Sequence, residues 1–313
     1  MQTGTLKQDD YIAQACMGRH ETFTPRYGWL KKGYDAVLQN GDVFKARDSI
    51  ERLGVGKNMV SSIRFWCQAF KLIEPDSHGY IRPTKLGHSL LDDEGWDPYL
   101  EDVASLWLLH WQLFIPPFQA VSWPLAFNKC NLWSFDIKQL AGVIKSVAQK
   151  YPRFASLSEK SFERDASCII RMYSDVSSTK EYEIECPFAQ LGIIRRAEEK
   201  NHYSFDTAEK PNLPPLIFAA ACFSYIHSYA SGKQKTMSLQ RLTYDFNSPG
   251  VVFKVPESAV GSCLYAAGKE FESFSLVDTM GSIQLHYSGA PEELYWEALQ
   301  RYYNSKRTIL GAK

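Results

Sequence analysis

The stretch RDSIERLGVGKNMVSSIRFWCQAFKLIEPDSHGYIRPTKLGHSL, residues 47–90, decides the fold. Residues 47–53 form a short helical pattern with Ile50 and Leu53 on one face. Gly54 stops it, and Gly56 releases the chain before a longer pattern begins. In that second pattern Met59, Ile63, Trp66 and Phe70 recur at steps of three and four residues, which predicts one stripe packed on a core. The opposite stripe carries Lys57, Asn58, Ser61, Ser62, Arg64 and Gln68, side chains suited to base edges and phosphates near a helix N-terminus. Ile73 and Glu74 then enter a turn through Pro75, Asp76, His78 and Gly79, and Tyr80, Ile81 and Arg82 leave it. Helix, glycine turn, longer helix and small hairpin describe a winged helix-turn-helix. Such units dock DNA, and others serve as protein–protein modules.

Charge favours DNA. From Arg19 to Lys71 there are ten basic residues against five acidic ones, in a chain of 313 residues whose net charge is zero. A phosphate backbone selects that kind of local asymmetry, whereas a nonspecific nucleic-acid coating protein would be basic throughout. Arg82 on the wing and Lys31 and Lys32 on the preceding helix extend the expected contact set.

The composition, 45% hydrophobic and 14% aromatic, is ample for packed cores. The seven cysteines are odd in number, widely spaced and set mostly in apolar runs, without CxxC or Cys/His ligand spacing, so they read as buried thiols of a reducing compartment. The N-terminus MQTGTLKQDD lacks a signal-peptide core and no apolar run is long enough to span a bilayer, so a cytoplasmic protein without a membrane partner is expected. Gly54-Val55-Gly56-Lys57 fails the phosphate-loop pattern, because Asn58 follows the lysine and a helix precedes the glycines.

Ahead of the helix-turn-helix lies GRHETFTPRYGWLKKGYDAV, residues 18–37. Thr24-Pro25 marks a turn, and residues 26–37 read as a helix with Tyr27, Leu30, Tyr34 and Val37 on one side. His20, Glu21, Arg26 and Tyr27 fall within eight residues. For phosphodiester chemistry Glu21 would hold a divalent metal or take a proton, His20 would act as general base, and Arg26 would neutralise charge on the phosphate. Tyr27 is a candidate nucleophile. The alternative is structural: Glu21 capping or pairing with Arg26, His20 bonded to the backbone, and Tyr27 in the core.

The rest of the chain reads as helices with small hairpins. Residues 84–91 close the first unit and 92–95 form an acidic linker. Residues 98–114, 135–150 and 159–173 are helical, and the aromatics from Trp107 to Trp133 suit a core or, less simply, base stacking. A new unit opens at 183–188, a hairpin pairs 191–195 with 203–205, and the apolar run 214–229 is a central helix. In the tail, helix 239–244, a turn at 247–250, helix 256–271 and a hairpin of 273–277 with 283–287 repeat the winged-helix plan without a residue-level repeat. The expected fold is mainly α with small β-hairpins, in three domains: 1–95, 96–210 and 211–313.

The sequences GRHETFTPRYGWLKKGYDAV and RLGVGKNMVSSIRFWCQAFKLIE resemble a bacterial family catalogued as a domain of unknown function, the SspB-like subunits of DNA phosphorothioation gene clusters. The resemblance continues more loosely through SPGVVFKV and DTMGSIQLHY. It implies a subunit that nicks one DNA strand so that sulfur can enter the backbone, in an antiphage defence system with ATP-consuming and sulfur-transfer partners. Joined to the reading of the polar loop above, a nicking subunit would use magnesium or another divalent metal as cofactor, with Glu21 as its ligand. The alternative is a non-catalytic DNA-binding adaptor that recruits the sulfur-transfer proteins.

Overall fold

Trp66 and its helix set the arrangement of the N-terminal half. In the computed structural model, which describes residues 3–174, 186–229 and 234–311, the chain groups into two units. One comprises residues 11–113 and 117–206, the other residues 1–10, 114–116 and 207–313.

α1 (Thr3–Gln14) has residues in both units, and the first of these units contains α2 (Trp29–Gln39), α3 (Ser49–Leu53) and α4 (Lys57–Ala69). Gly54 ends α3 at a φ of 61°, a left-handed turn that lets its N–H return to the Ile50 carbonyl. α4 is buried on two sides. Val60, Ile63, Cys67 and Phe70 form one buried stripe, and α2 approaches it where Gly33 has no side chain: a Cβ there would lie 2.6 Å from Cys67 Sγ and 2.8 Å from Ile63. Ser62, Phe65, Trp66 and Ala69 are buried as well, with Phe65 and Trp66 packed on His20 and Trp66 also on Trp123. The apolar stripe is therefore wider than the sequence suggests, Met59 is only half-buried, and Ile50 on α3 is exposed.

The strands β1 (Ile73–Pro75) and β2 (Ile81–Pro83) pair antiparallel, with Glu74 opposite Arg82. Asp76 closes their loop by accepting from the backbone N–H groups of His78 and Tyr80 at 2.9 and 3.0 Å. Thr84 caps α5 (Lys85–Leu91) by accepting from Gly87 N–H. Then come α6 (Val103–Gln112), α7 (Ser122–Lys129), α8 (Ile137–Ala148), α9 (Pro152–Ala155) and α10 (Glu159–Tyr173). Asp102 and Asp136 cap α6 and α8, the latter in a capping box with Gln139. A 3-10 helix (Pro187–Leu191) and the hairpin of β3 (Ile194–Arg196) with β4 (Tyr203–Phe205) complete the unit. Of the segment 183–188, residues 183–185 lie outside the described residues.

The second unit is built on α11 (Pro215–Tyr229), whose residues Leu216 to Ile226 are all buried. It further contains β5 (Thr236–Ser238), α12 (Leu239–Tyr244), α13 (Pro249–Phe253), α14 (Glu257–Glu270), β6 (Phe274–Thr279), β7 (Ser282–Tyr287) and α15 (Pro291–Gly311). α14 and α15 pack on α11, and the sheet order is β5-β7-β6, all antiparallel. The expected turn at 247–250 runs on into α13, with Pro249 in its first turn, and β5 adds a third strand to the expected hairpin. The protein is thus mainly helical with small antiparallel sheets. Among the described residues no helix is long and apolar enough to cross a membrane.

Two close contacts yield tests. A Cβ on Gly87 would lie 2.1 Å from the Leu72 carbonyl oxygen, a backbone atom that cannot swing away. Gly87→Ala is expected to lower the unfolding free energy by about 2 kcal/mol or more, read from urea midpoints. Lys71 Nζ donates to the Pro117 carbonyl. Burial pulls this ammonium from 10.5 down to about 8, with the Glu74 carboxylate partly opposing. The unfolded chain therefore binds the extra proton between about pH 8 and pH 10, and stability from this group rises with pH across that window. Comparing wild type with Lys71→Met cancels the shared thiols, and the variant is expected to lack this rise.

Candidate functional site

The residues that carried the sequence expectation sit on a turn from His20 to Phe23, closed by the Phe23 N–H donating to the His20 carbonyl at 2.9 Å. Its two central residues, Glu21 and Thr22, have φ of 51° and 64°. A turn with both central residues left-handed ordinarily takes glycine or asparagine, and for a β-branched threonine it is a strained conformation. The surroundings hold it in place. His20 is 1% exposed, with Nε2 2.9 Å from Asp165 Oδ1 on α10, and Ser122 Oγ at the start of α7 donates to the other oxygen of Asp165. Arg171 donates to the Thr22 carbonyl, and Trp66 Nε1 and Cys168 Sγ both donate to the Phe23 carbonyl.

This geometry separates the four expected catalytic residues. His20 faces inward against Phe65, Trp66 and Trp123, and its Nδ1 is buried without a hydrogen-bond partner. In the Ser122–Asp165–His20 set the carboxylate sits in the middle and accepts from both neighbours, the reverse of a nucleophile-activating triad in which histidine is central. Glu21 faces solvent and, among the described residues, takes no hydrogen-bond or ion-pair partner. His20 and Glu21 therefore do not converge. Arg26 does not pair with Glu21: its guanidinium lies over the rings of Phe23 and Trp29, at 5.5 and 5.3 Å. Tyr27 is 48% exposed, and its hydroxyl accepts from Gln190 Nε2.

Among the described residues no group of three or more His, Cys, Asp or Glu side chains is placed to hold a metal ion. Glu21 alone offers an open carboxylate. That suits magnesium only as a site completed by water and substrate phosphates, which is how this ion is commonly held, and not as a protein cage.

The expected DNA-contact residues divide in the same way. Lys57, Asn58 and Ser61 are exposed on α4, with Arg64 and Gln68 half-buried on the same face, but Ser62 is buried and turned from solvent. Its position on the second packed side of α4 removes it from any direct contact. Lys31 is engaged by Asp35 at 2.6 Å and Asp93 at 2.7 Å; burial opposes the charge, and these carboxylates outweigh it and hold the ammonium above its usual value. Lys32 donates to the Leu53 carbonyl at the end of α3, and Arg82 lies 3.3 Å from Asp76 in the hairpin.

One cationic surface escaped the sequence reading. Lys160, Arg164, Ser167 and Arg171 fall on one face of α10 and, with Thr22, Ile137 and Glu163, line an open groove of about 370 Å³. The signal was present as basic residues at steps of four and seven on the side opposite Phe162, Ala166, Ile169 and Tyr173. It was hidden because the buried stripe alone accounts for the helix.

The family described as "Protein of unknown function (DUF4007)" matches residues 17–303, and the chain belongs to it, as the opening motif led one to expect. More particularly, the chain is similar to SspB. It is 33% identical to one SspB crystal structure with a TM-score of 0.87, covering 94% of this chain and 90% of that one. It is 32% identical to a magnesium ion-bound SspB crystal structure with the same TM-score and coverage. No curated protein matches the chain.

The turn separates stability from exposure in a measurable way. Glu21→Asn, which places an αL-tolerant residue at a positive φ, is expected to raise unfolding free energy by about 1 kcal/mol. His20→Ala leaves the Asp165 carboxylate buried with one partner fewer and is expected to lower it by about 3 kcal/mol. Thermal unfolding of the two variants beside wild type checks both signs.

Proposed function

We propose that this protein is the DNA-binding and strand-nicking component of a DNA phosphorothioation system used in antiphage defence. The observation that carries the reading is its likeness to SspB over nearly the whole of both chains, joined to the phosphorothioation setting that the opening motif implies. In this reading the segment from α2 to α5 is a winged helix. α4 lies against the duplex through Lys57, Asn58, Ser61, Arg64 and Gln68, and the β1–β2 hairpin brings Arg82 to the backbone.

Glu21 is the group proposed to meet the scissile phosphate, because its carboxylate is open and sits on a turn that its neighbours hold in a strained shape. It would take the proton of the attacking water or hold magnesium together with phosphate oxygens. The likeness to a magnesium ion-bound SspB structure supports including that ion. Magnesium, when bound, would offset the charge that builds on the phosphate. His20 is proposed as a positioning residue that fixes the turn through Asp165. Arg26 and Tyr27 would flank the phosphate only by leaving their present contacts, so Glu21 carries the proposal. Partners would be double-stranded DNA and the ATPase and sulfur-transfer subunits of the system.

Incubation with supercoiled plasmid, with magnesium and with EDTA, tests the reading. The expected outcome is open-circular product that requires the metal and is lost in Glu21→Ala while duplex binding is kept. Lys57→Ala and Arg64→Ala should each weaken duplex binding and flatten its salt dependence by about 0.9 in the log–log slope. Duplex binding without nicking under any metal would instead establish the adaptor.

A further inference from the structure

Beside the turn lies a surface that the duplex reading does not use. Lys160, Arg164, Ser167 and Arg171 line the groove on α10, and Glu163 joins it to a second groove of about 190 Å³ lined by Lys138, Lys145 and Glu159. The two together hold five cations against two carboxylates, one of them Glu159, 3.5 Å from Lys145. Among the described residues Lys160, Arg164 and Ser167 have no hydrogen-bond or ion-pair partner, so their donors are open to a ligand. The groove also contains Ile137, the first residue of α8, and the loop leading to it presents Trp133, which is 95% exposed, after the half-exposed Leu132. Four residues of chain keep Trp133 within about 14 Å of Ile137. The other tryptophans of this region, Trp107, Trp111 and Trp123, are buried.

A cationic groove with an exposed aromatic ring on the adjoining loop is the chemistry of single-stranded nucleic acid, in which phosphates follow the charges and a base stacks on the ring. A base offers its face to a side chain only when it is out of the duplex stack. We propose that this groove binds a single strand of DNA, with the phosphates against Lys160, Arg164, Ser167 and Arg171 and a base on Trp133. The proposal rests on the DNA reading above and adds to it a second site, for the unpaired strand. Because Thr22 lines the groove and Arg171 holds the Thr22 carbonyl, the strand passes next to Glu21.

The test is fluorescence anisotropy of the full chain with a labelled oligothymidylate and with a labelled hairpin duplex, over a series of salt concentrations. Lys160→Ala/Arg164→Ala removes two exposed side chains without partners. It is expected to weaken single-strand binding at least tenfold and to reduce the salt slope by about 1.4, at about 0.7 per phosphate contact. Trp133→Ala is expected to weaken it about tenfold with the slope unchanged. Both should keep duplex affinity within about twofold, whereas Lys57→Ala/Arg64→Ala should do the reverse. Single-strand affinity unchanged in the groove variants overturns the proposal, as does an equal loss for duplex. Wild-type protein that binds duplex through α4 but no single strand overturns this site alone, while binding to neither form overturns the DNA reading as well.

Discussion

The carboxylate of Asp165 is the contact on which the functional region depends. It is buried, and accepts from His20 and from Ser122, so it joins the 20–23 turn, α7 and α10 at one point. A buried carboxylate with satisfied donors is tolerated, but one that has lost a donor is costly, so the three elements have little freedom to move apart. The rings of Phe65, Trp66 and Trp123 around His20 extend the junction to α4. The open carboxylate of Glu21 is one residue away, which explains how a strained turn can persist on the surface: its inward neighbour and the Thr22 and Phe23 carbonyls are all held from behind.

The same junction fixes the geometry of two surfaces. α4 presents its polar face outward because its other two sides are committed, one to α2 and one to His20 and Trp123. α10 places Asp165 inward while Arg164, the preceding residue, faces solvent, so the helix that anchors the turn also carries the cationic groove. Rotation of α10 to move the cations would break the anchor. This gives a physical reason for the turn and the groove to keep a constant relation.

Much of the fold was legible in the sequence because local signals agreed. Glycine punctuation marked α3 and α4, the run from residue 84 marked α5, and the stripe of Phe162, Ala166, Ile169 and Tyr173, at steps of four and three, marked α10 to its boundaries. What periodicity could not show is a helix packed on two sides, and this is why Ser62 read as exposed and Met59 as core. The site was less legible for a different reason. The partner of His20 is Asp165, 145 residues away, which Ser122 holds in turn, and no spacing rule connects the three. Adjacent His20 and Glu21 were recognisable as polar chemistry, but their opposite directions follow from a positive-φ turn that neither glutamate nor threonine signals. The aromatics from Trp107 to Trp133 split according to burial, which composition does not record.

The division of the chain into a unit of residues 11–206 and a unit that includes residues 1–10 and 207–313 bears on the order in which the molecule forms during synthesis. Residues 1–10 are made before residues 11–206, yet their own unit lacks most of its substance until α11 to α15 have followed. At roughly 10 residues per second this is a delay of about 30 s for the N-terminal segment. The unit of residues 11–113 and 117–206, with the Asp165 junction already complete, can fold in that interval. The unit of residues 1–10 and 207–313 is completed last, so its strands β5, β6 and β7 form when the earlier unit no longer offers them competing partners.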